Sequence, residues 1–268
     1  MIGDPIGHSL SPAMHNAAFK KLGIPYTYKA FRVKRGELAA FMQRVRKAFI
    51  GINVTIPHKI EVMKYLDEIN SKAAEVGAVN TVVNRDGRLW GFNTDVYGVE
   101  AALRRHRVRV AGKKVVVIGA GGAGRAVVAA LSPKARELVI TDRNVQKAEE
   151  LAVNARKHGG TARAVPLHAL AVELADAHIL VNATPVGMRP HDDETPVAKN
   201  LLHPRLVVFD VVYNPRRTRL LREAASLGCR TISGDWMLAF QGAKAFELFT
   251  GRKAPFQTML AALRRRLR

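Results

Sequence analysis

Residues 113–118, Lys-Lys-Val-Val-Val-Ile, lead directly into Gly119-Ala120-Gly121-Gly122-Ala123-Gly124 and then into residues 125–131, whose apolar side chains recur at helical spacing. An almost continuous apolar run predicts a strand buried on both faces, and the order strand, tight glycine turn, helix opens a βαβ unit. Few folds accommodate that order. Glycines at 119 and 121 let the backbone turn and approach a ligand closely, while Gly124 lets the helix pack tightly on the strand. The helix N-terminus adds N–H groups and partial positive charge, so the predicted ligand is a dinucleotide whose diphosphate is held by Gly119, Ala120, Gly121, Gly122 and Ala123. The same alternation continues through strands at 138–141, 179–182, 207–212 and 231–232. This predicts a doubly wound, parallel, Rossmann-like sheet.

The second strand of that unit ends at Thr141-Asp142-Arg143-Asn144, where such folds read the adenosine ribose. Two signals oppose each other there. Asp142 would accept hydrogen bonds from both ribose hydroxyls of NAD and repel a 2′-phosphate, whereas Arg143 and Lys147 would attract that phosphate. Asn144 reads most simply as the cap of a helix over 145–156. The cation count favours NADP, with NAD as the alternative.

The first half alternates differently. Helices are predicted at 11–22, 36–47, 57–65 and 71–75, strands at 26–33 and 49–54, and a hairpin at 79–84 and 88–92 turning on Asp86-Gly87. The pattern changes near residue 105, and helices at 236–249 and 256–267, apolar on one face, are expected to return to the first domain. The expected organisation is two α/β domains, 1–104 plus 236–268 and 105–235, with a cleft between them. Asn53-Val54-Thr55-Ile56-Pro57-His58-Lys59 then carries an amide, a hydroxyl and an amine to the mouth of a helix starting at Pro57, a place where α/β proteins build pockets. Thr55 as a helix cap and Lys59 as a solvated surface lysine is an equally open reading of those residues. Gly91-Phe92-Asn93-Thr94-Asp95 makes Asp95 either a helix cap or a carboxylate facing the cleft. With Asn53, Thr55, Lys59 and Asn80 it would form a polar set suited to a small polyhydroxylated acid, in which a Lys and an Asp in contact control each other's protonation.

Composition narrows the classes further. The chain has 268 residues, 43 Lys plus Arg against 22 Asp plus Glu, and a formal net charge of +21. Its basic residues crowd 34–47, 104–114, 216–222 and 264–268, dispersed rather than gathered in one recognition element, and no aromatic-interleaved basic motif accompanies them. Solvated faces are therefore favoured over a nucleic-acid surface, although a basic nucleic-acid-binding protein on a dinucleotide fold stays as the alternative of a different class. No run reaches the roughly 18 to 20 apolar residues of a membrane span, and residues 1–5 lack a signal-peptide layout, so a cytoplasmic protein without a membrane partner is expected. Cys229, the one cysteine, lies between apolar neighbours and reads as a buried structural thiol. No metal site is predicted.

Taken together, the chain resembles the shikimate dehydrogenase family. The segments that carry the resemblance are Gly7-His8-Ser9-Leu10-Ser11-Pro12, residues 53–59, Gly77-Ala78-Val79-Asn80-Thr81, Asn93-Thr94-Asp95, the glycine loop, Asn182-Ala183-Thr184-Pro185 with Gly187-Met188, Tyr213-Asn214-Pro215, and Gly234 through Met237-Leu238 to Gln241. They occur in family order and span nearly the whole chain. The resemblance implies reversible, NADPH-dependent reduction of 3-dehydroshikimate to shikimate in aromatic amino-acid (chorismate) biosynthesis. It implies that Ser9 and Ser11 hold the substrate carboxylate, that Asn53, Thr55, Asn80, Asp95 and Gln241 bind ring hydroxyls with Tyr213 nearby, and that Lys59 and Asp95 are the catalytic pair. For the cofactor it implies the glycine loop at the diphosphate, the segment carrying Asp142, Arg143, Asn144 and Lys147 around the adenosine phosphate, Thr184 in a cofactor-side loop, and Gly234 and Met237 beside the nicotinamide. A monomer or homodimer is expected.

The chain also departs from the family pattern. Fewer apolar residues precede Gly3, which is expected to leave the first strand nearly absent. Asp142 stands where NADP-using members commonly carry Asn, which motivates an NAD-dependent quinate/shikimate dehydrogenase as the nearest alternative. Asp235-Trp236 replaces a commonly smaller pair, with the expectation that the Trp narrows the cleft near the nicotinamide.

Overall fold

The computed structural model describes residues 1–7 and 9–267; His8 and Arg268, which belong to segments singled out above, lie outside the described residues. In chain order the elements are β1 (Ile2–Gly3), α1 (Ser11–Leu22), β2 (Phe31–Arg32), α2 (Leu38–Ala48), β3 (Gly51–Asn53), β4 (Glu68–Ile69), α3 (Ser71–Val76), β5 (Thr81–Arg85), β6 (Arg88–Phe92) and α4 (Thr94–Arg105). They continue with β7 (Lys114–Ile118), α5 (Gly122–Leu131), β8 (Glu137–Thr141), α6 (Val145–Lys157), β9 (Ala162–Ala164), α7 (Leu170–Ala175), β10 (Ile179–Asn182), β11 (Val207–Asp210), α8 (Arg219–Ser226), β12 (Arg230–Ser233), α9 (Gly234–Thr250) and α10 (Phe256–Arg266). Two compact units result: Met1–Gly98 with Ala239–Arg266, and Val99–Leu238.

In the first unit a four-stranded sheet has the order β3-β5-β6-β4, and β1 pairs in parallel with β2. The hairpin between β5 and β6 is as expected. Asp86 and Gly87 both take positive φ, 52° and 85°, which is what a two-residue turn matching the strand twist requires. Short as it is, β1 is in place, with Ile2 fully buried in a core that includes Val33, Leu38, Phe41, Met42, Ile52, Val54 and Val62. Two expectations fail here. The strand expected over 26–33 shrinks to Phe31–Arg32, because the Asn16 side-chain amide takes the backbone groups of Tyr28 (2.8 and 2.9 Å) and so replaces a ladder partner. The helix expected over 57–65 is only a 3₁₀ stretch, Glu61–Tyr65; before it Ile56-Pro57 is a cis peptide in a turn closed by the His58 N–H on the Thr55 carbonyl at 2.9 Å.

The second unit is a six-stranded, wholly parallel sheet in the order β12-β11-β10-β7-β8-β9. Strand order reverses between β7 and β10, so the loops after those two strands flank the switch point where such sheets bind ligands. Every residue of β7 is buried, as its apolar run predicts, including Lys114, which pairs with Glu173 at 3.0 Å and with Asp176. The edge strand β9, paired with β8, has no counterpart in the sequence reading, since Ala162-Arg163-Ala164 lacks a strand-like composition. The terminal helix α10 buries Met259, Leu260 and Leu263 and leaves Arg265 and Arg266 exposed, the amphipathic pattern expected. Among the described residues no helix is long and apolar enough to cross a membrane, and no cluster of metal-ligating side chains occurs.

Candidate active site

In the first unit the chain leaves β3 at Asn53 and reaches Lys59 through the turn at Pro57. The Lys59 carbonyl accepts the Val79 N–H at 2.8 Å, which fixes the lysine beside Asn80. Its Nζ donates to the Asp95 carboxylate at 2.6 Å, and both side chains are largely buried, 14% and 8% exposed. That burial separates this pair from an ordinary surface salt bridge. The cap of α4 is Asn93, whose Oδ1 accepts the N–H groups of Asp95 (3.1 Å) and Val96 (3.4 Å), which leaves the Asp95 carboxylate to Lys59. The lysine does not stand at the mouth of a helix, as its sequence position suggests, but ahead of a short 3₁₀ stretch. Asp95, in the first turn of a 12-residue helix, is therefore the member of the pair at a dipole, and negative charge is favoured there.

Behind the pair runs a buried polar network. Asn80 accepts the Thr94 N–H at 2.7 Å and donates to the Thr94 hydroxyl (3.0 Å) and to the Gln241 carbonyl (3.4 Å); the Thr94 hydroxyl also donates to Gln241 at 3.3 Å. Asn53 is held on all sides: its Oδ1 accepts the Tyr28 hydroxyl at 2.6 Å, and its Nδ2 donates to the Asn80 carbonyl (3.2 Å) and the Thr81 hydroxyl (2.9 Å). Burial pushes the Tyr28 phenol pKa up, so it serves only as a donor-acceptor hydroxyl. The fully buried His15 ring stacks on Tyr28, centroids 4.2 Å apart, and burial together with the amino terminus pushes its pKa down to about 3. Ser9 accepts the Ser11 N–H at 3.3 Å at the start of α1, and Thr55 packs against Gly3, where a Cβ would come within 2.5 Å of the Thr55 methyl.

In the second unit the glycine loop has the close contacts its composition predicts. Gly119 has φ +106°, and a Cβ on Gly124 would lie 2.0 Å from the Gly119 carbonyl oxygen. The N–H groups of Gly121, Gly122, Ala123 and Gly124 open α5 and have no acceptor within the helix, the arrangement that receives a diphosphate. Ala120 differs, since its N–H is spent on the Asp142 carboxylate at 2.8 Å. Asn144 caps α6 through the Lys147 N–H, 3.3 Å, while Arg143 and Lys147 are exposed. Thr184 directs its hydroxyl to Asn182 at 2.7 Å, and Asn182 in turn donates to Asp210 at 2.9 Å. Asp210 is fully buried and also accepts from Thr218 (2.6 Å) and the Val212 N–H (3.0 Å); burial outweighs those donors and raises its pKa to about 6. Tyr213, just beyond, is half-buried, and burial raises its phenol pKa as well. Gly234 sits where a Cβ would meet the Val211 carbonyl oxygen at 2.1 Å, and Met237 is buried. Trp236 packs edge-on against His106 and under the Arg105 guanidinium, 5.3 Å from the ring centre, and Arg216 reaches the buried Asp235 at 3.3 Å.

Comparison with known proteins decides what this arrangement belongs to. Three family models match in succession: the shikimate dehydrogenase substrate binding domain over residues 1–82, shikimate/quinate 5-dehydrogenase over 100–216, and the shikimate 5′-dehydrogenase C-terminal domain over 236–264. A shikimate dehydrogenase (NADP(+)) of Methanopyrus kandleri is 48% identical over 275 residues, covering 100% of this chain and 95% of the relative. The chain belongs to the shikimate dehydrogenase family. Among solved structures, a shikimate dehydrogenase in complex with NADP+ superposes with a TM-score of 0.95 at 42% identity, covering 100% of this chain and 94% of that one. The Thermus thermophilus enzyme in complex with NADP(H) and shikimate gives 0.90 at 40% identity, with 99% and 98% covered.

Within this shikimate dehydrogenase family chain, the first unit gathers Lys59, Asp95, Asn80, Gln241 and Asn53 into one connected set. Ser9, Ser11 and Thr55 are placed in the same unit outside that set's side-chain hydrogen bonds. Sequence reasoning missed Tyr28, Thr81 and Thr94, which hold the amides in place, and Asp210 with Thr218, which hold the Asn182 loop. Thr81 and Thr94 stand in segments that carry the resemblance, which implies no role for them, and Asp210 leaves a trace as the single charge in the run Val-Val-Phe-Asp-Val-Val.

Proposed function

We propose that this protein is an NADP-dependent dehydrogenase that reversibly reduces 3-dehydroshikimate to shikimate, a step of chorismate and aromatic amino-acid biosynthesis. The observation that carries the reading is the buried 2.6 Å contact of Lys59 with Asp95 beside an amide network, in a chain of this family. Residues 1–104 with 236–268 form the substrate domain, and 105–235 the NADP-binding domain. Asn80 and Gln241 present amides to ring hydroxyls, Asn53 and Thr55 line the same side, Ser9 and Ser11 receive the carboxylate, and Tyr213 is a further substrate-binding residue. The cofactor fits the second unit: a Gly119 in the left-handed region and a Gly124 with no room for a Cβ leave the α5 N–H groups open to a diphosphate. Gly121, Gly122 and Ala123 hold it, Thr184, Gly234 and Met237 border the nicotinamide, and Arg143 and Lys147 take the adenosine phosphate.

When bound, the nicotinamide supplies hydride to the ring carbonyl carbon, or accepts it in oxidation. The chain's own part is the proton. As the carbonyl becomes an alkoxide, Lys59 Nζ donates a proton to its oxygen, and Asp95 keeps the ammonium oriented and compensated in a site with little water. In the reverse direction neutral Lys59 accepts the hydroxyl proton. The enzyme works in the cytoplasm as a monomer or homodimer, with neither a nucleic-acid nor a membrane partner. Initial rates of shikimate and quinate oxidation, each with NADP+ and NAD+, test the reading: fastest turnover with shikimate and NADP+ supports it. Faster turnover with quinate and NAD+ makes it the quinate/shikimate enzyme that Asp142 motivates, and no oxidation with salt-dependent nucleic-acid binding refutes it.

A further inference from the structure

The residue that argues for NAD in the sequence is turned to another task in the structure. An aspartate that reads NAD uses its two carboxylate oxygens on the two ribose hydroxyls. In this chain the Asp142 carboxylate is turned onto the main chain, Oδ2 accepting from the Ala120 N–H at 2.8 Å and Oδ1 from the Asn144 N–H at 2.9 Å. The preceding loop residue, Gly119, donates its N–H to the Thr141 carbonyl at 2.7 Å, so two successive residues of the glycine loop dock on two successive residues at the end of β8. Hydrogen bonds from N–H groups to an ionised carboxylate are the strong kind. Beyond the carboxylate the chain of contacts continues, since Asn144 caps α6 through the Lys147 N–H. Arg143 lies between the two anchored residues, exposed, as is Lys147.

We infer that Asp142 is a positioning residue that tethers the glycine loop to the end of β8 rather than a reader of the ribose hydroxyls that would set the choice between NAD and NADP. The inference rests on the dinucleotide-binding reading of the second unit, and its test separates the two. Amide hydrogen exchange at Ala120 and Asn144 in the cofactor-free protein reads the tether alone. In Asp142→Ala it accelerates on the order of tenfold or more, as expected for N–H groups that lose a charged acceptor. Unchanged exchange at Ala120 overturns the tether.

Calorimetric titration with NADP+ and with NAD+ reads the selectivity. Asp142→Ala weakens both on the order of tenfold and leaves their ratio within about threefold, because a loop fault strikes the shared diphosphate. A ratio moving more than about threefold towards NADP+ overturns the inference, since the carboxylate would then be a ribose reader. Arg143→Ala weakens NADP+ alone. Asp142→Asn, which keeps the side-chain volume and one acceptor oxygen, gives the same comparison should Asp142→Ala not fold. Failure of the wild-type chain to bind either nucleotide refutes the functional reading while the exchange arm still decides the tether.

Discussion

The glycine loop of the second unit and the amide network of the first are built over different distances along the chain. Gly119 to Gly124 lie between two flanking elements, and their side-chain hydrogen bond reaches no farther than Asp142, 22 residues along the chain. Asn80 and Gln241 meet across 161 residues of sequence, and Thr94 and Gln241 across 147. A loop of the first kind is specified by what two of its residues, Gly119 and Gly124, lack, a side chain, and it tolerates no Cβ at those positions. A network of the second kind is specified by buried polar atoms satisfying one another, so each removal leaves partners stranded. Local composition carries one, and tertiary packing carries the other.

Four substitutions or conditions sharpen that contrast. Gly124→Ala forces a Cβ to within 2.0 Å of the Gly119 carbonyl; it should cost about 3 kcal/mol of second-unit stability and abolish measurable NADP+ binding, checked by urea unfolding and calorimetry. Asn80→Ala strands the Thr94 N–H and takes a donor from Gln241, and should cost about 2 kcal/mol while raising KM for shikimate more than KM for NADP+.

Acid should separate the units. His15, pushed down to about 3 from 6.5, is protonated in the unfolded chain first, so its contribution is fully present above pH 6.5 and declines below it by up to about 1.4 kcal/mol per pH unit. Asp210, raised to about 6 from 3.8, works oppositely, and the second unit gains from it as pH falls from about 6 towards 3.8. Glu173, held down to about 2 by its hydrogen bonds to Arg163, withdraws stability only below about 4.5. Between pH 6 and 4.5, amide exchange should therefore open the first unit before the second, and His15→Leu should narrow the difference to what Asp210 contributes. Equal opening would break the comparison. Smallest is Tyr28→Phe, which frees the Asn53 carbonyl and should cost about 1 kcal/mol with a several-fold rise in KM for shikimate.

What is legible in the sequence follows the same division. The β7 run, the glycine loop and α5 are readable because burial, φ and helix periodicity are local properties, and so is the Asp86-Gly87 hairpin. Lys59 and Asp95 are readable as a pair through the family resemblance, but the route to them is not. The stretch 57–65 has helix-like apolar spacing, yet Val79 on the Lys59 carbonyl and Val33 on the buried His58 ring, 2.7 Å, fix a turn that only tertiary partners dictate. Tyr28 escapes notice because nothing local distinguishes a tyrosine that orients an amide 25 residues away. Asp142 is visible but ambiguous, because its sequence position does not say which way its carboxylate turns.

The chemistry of the first unit converges on one proton. The direct measurement is steady-state kinetics of wild type and Lys59→Ala with shikimate and NADP+, kcat and KM determined separately. Loss of the proton-transfer group should lower kcat about a thousandfold while KM for shikimate moves only a few-fold, since the amides that hold the substrate remain. A kcat within tenfold of wild type would contradict the assignment of Lys59 as the acid and base of this enzyme.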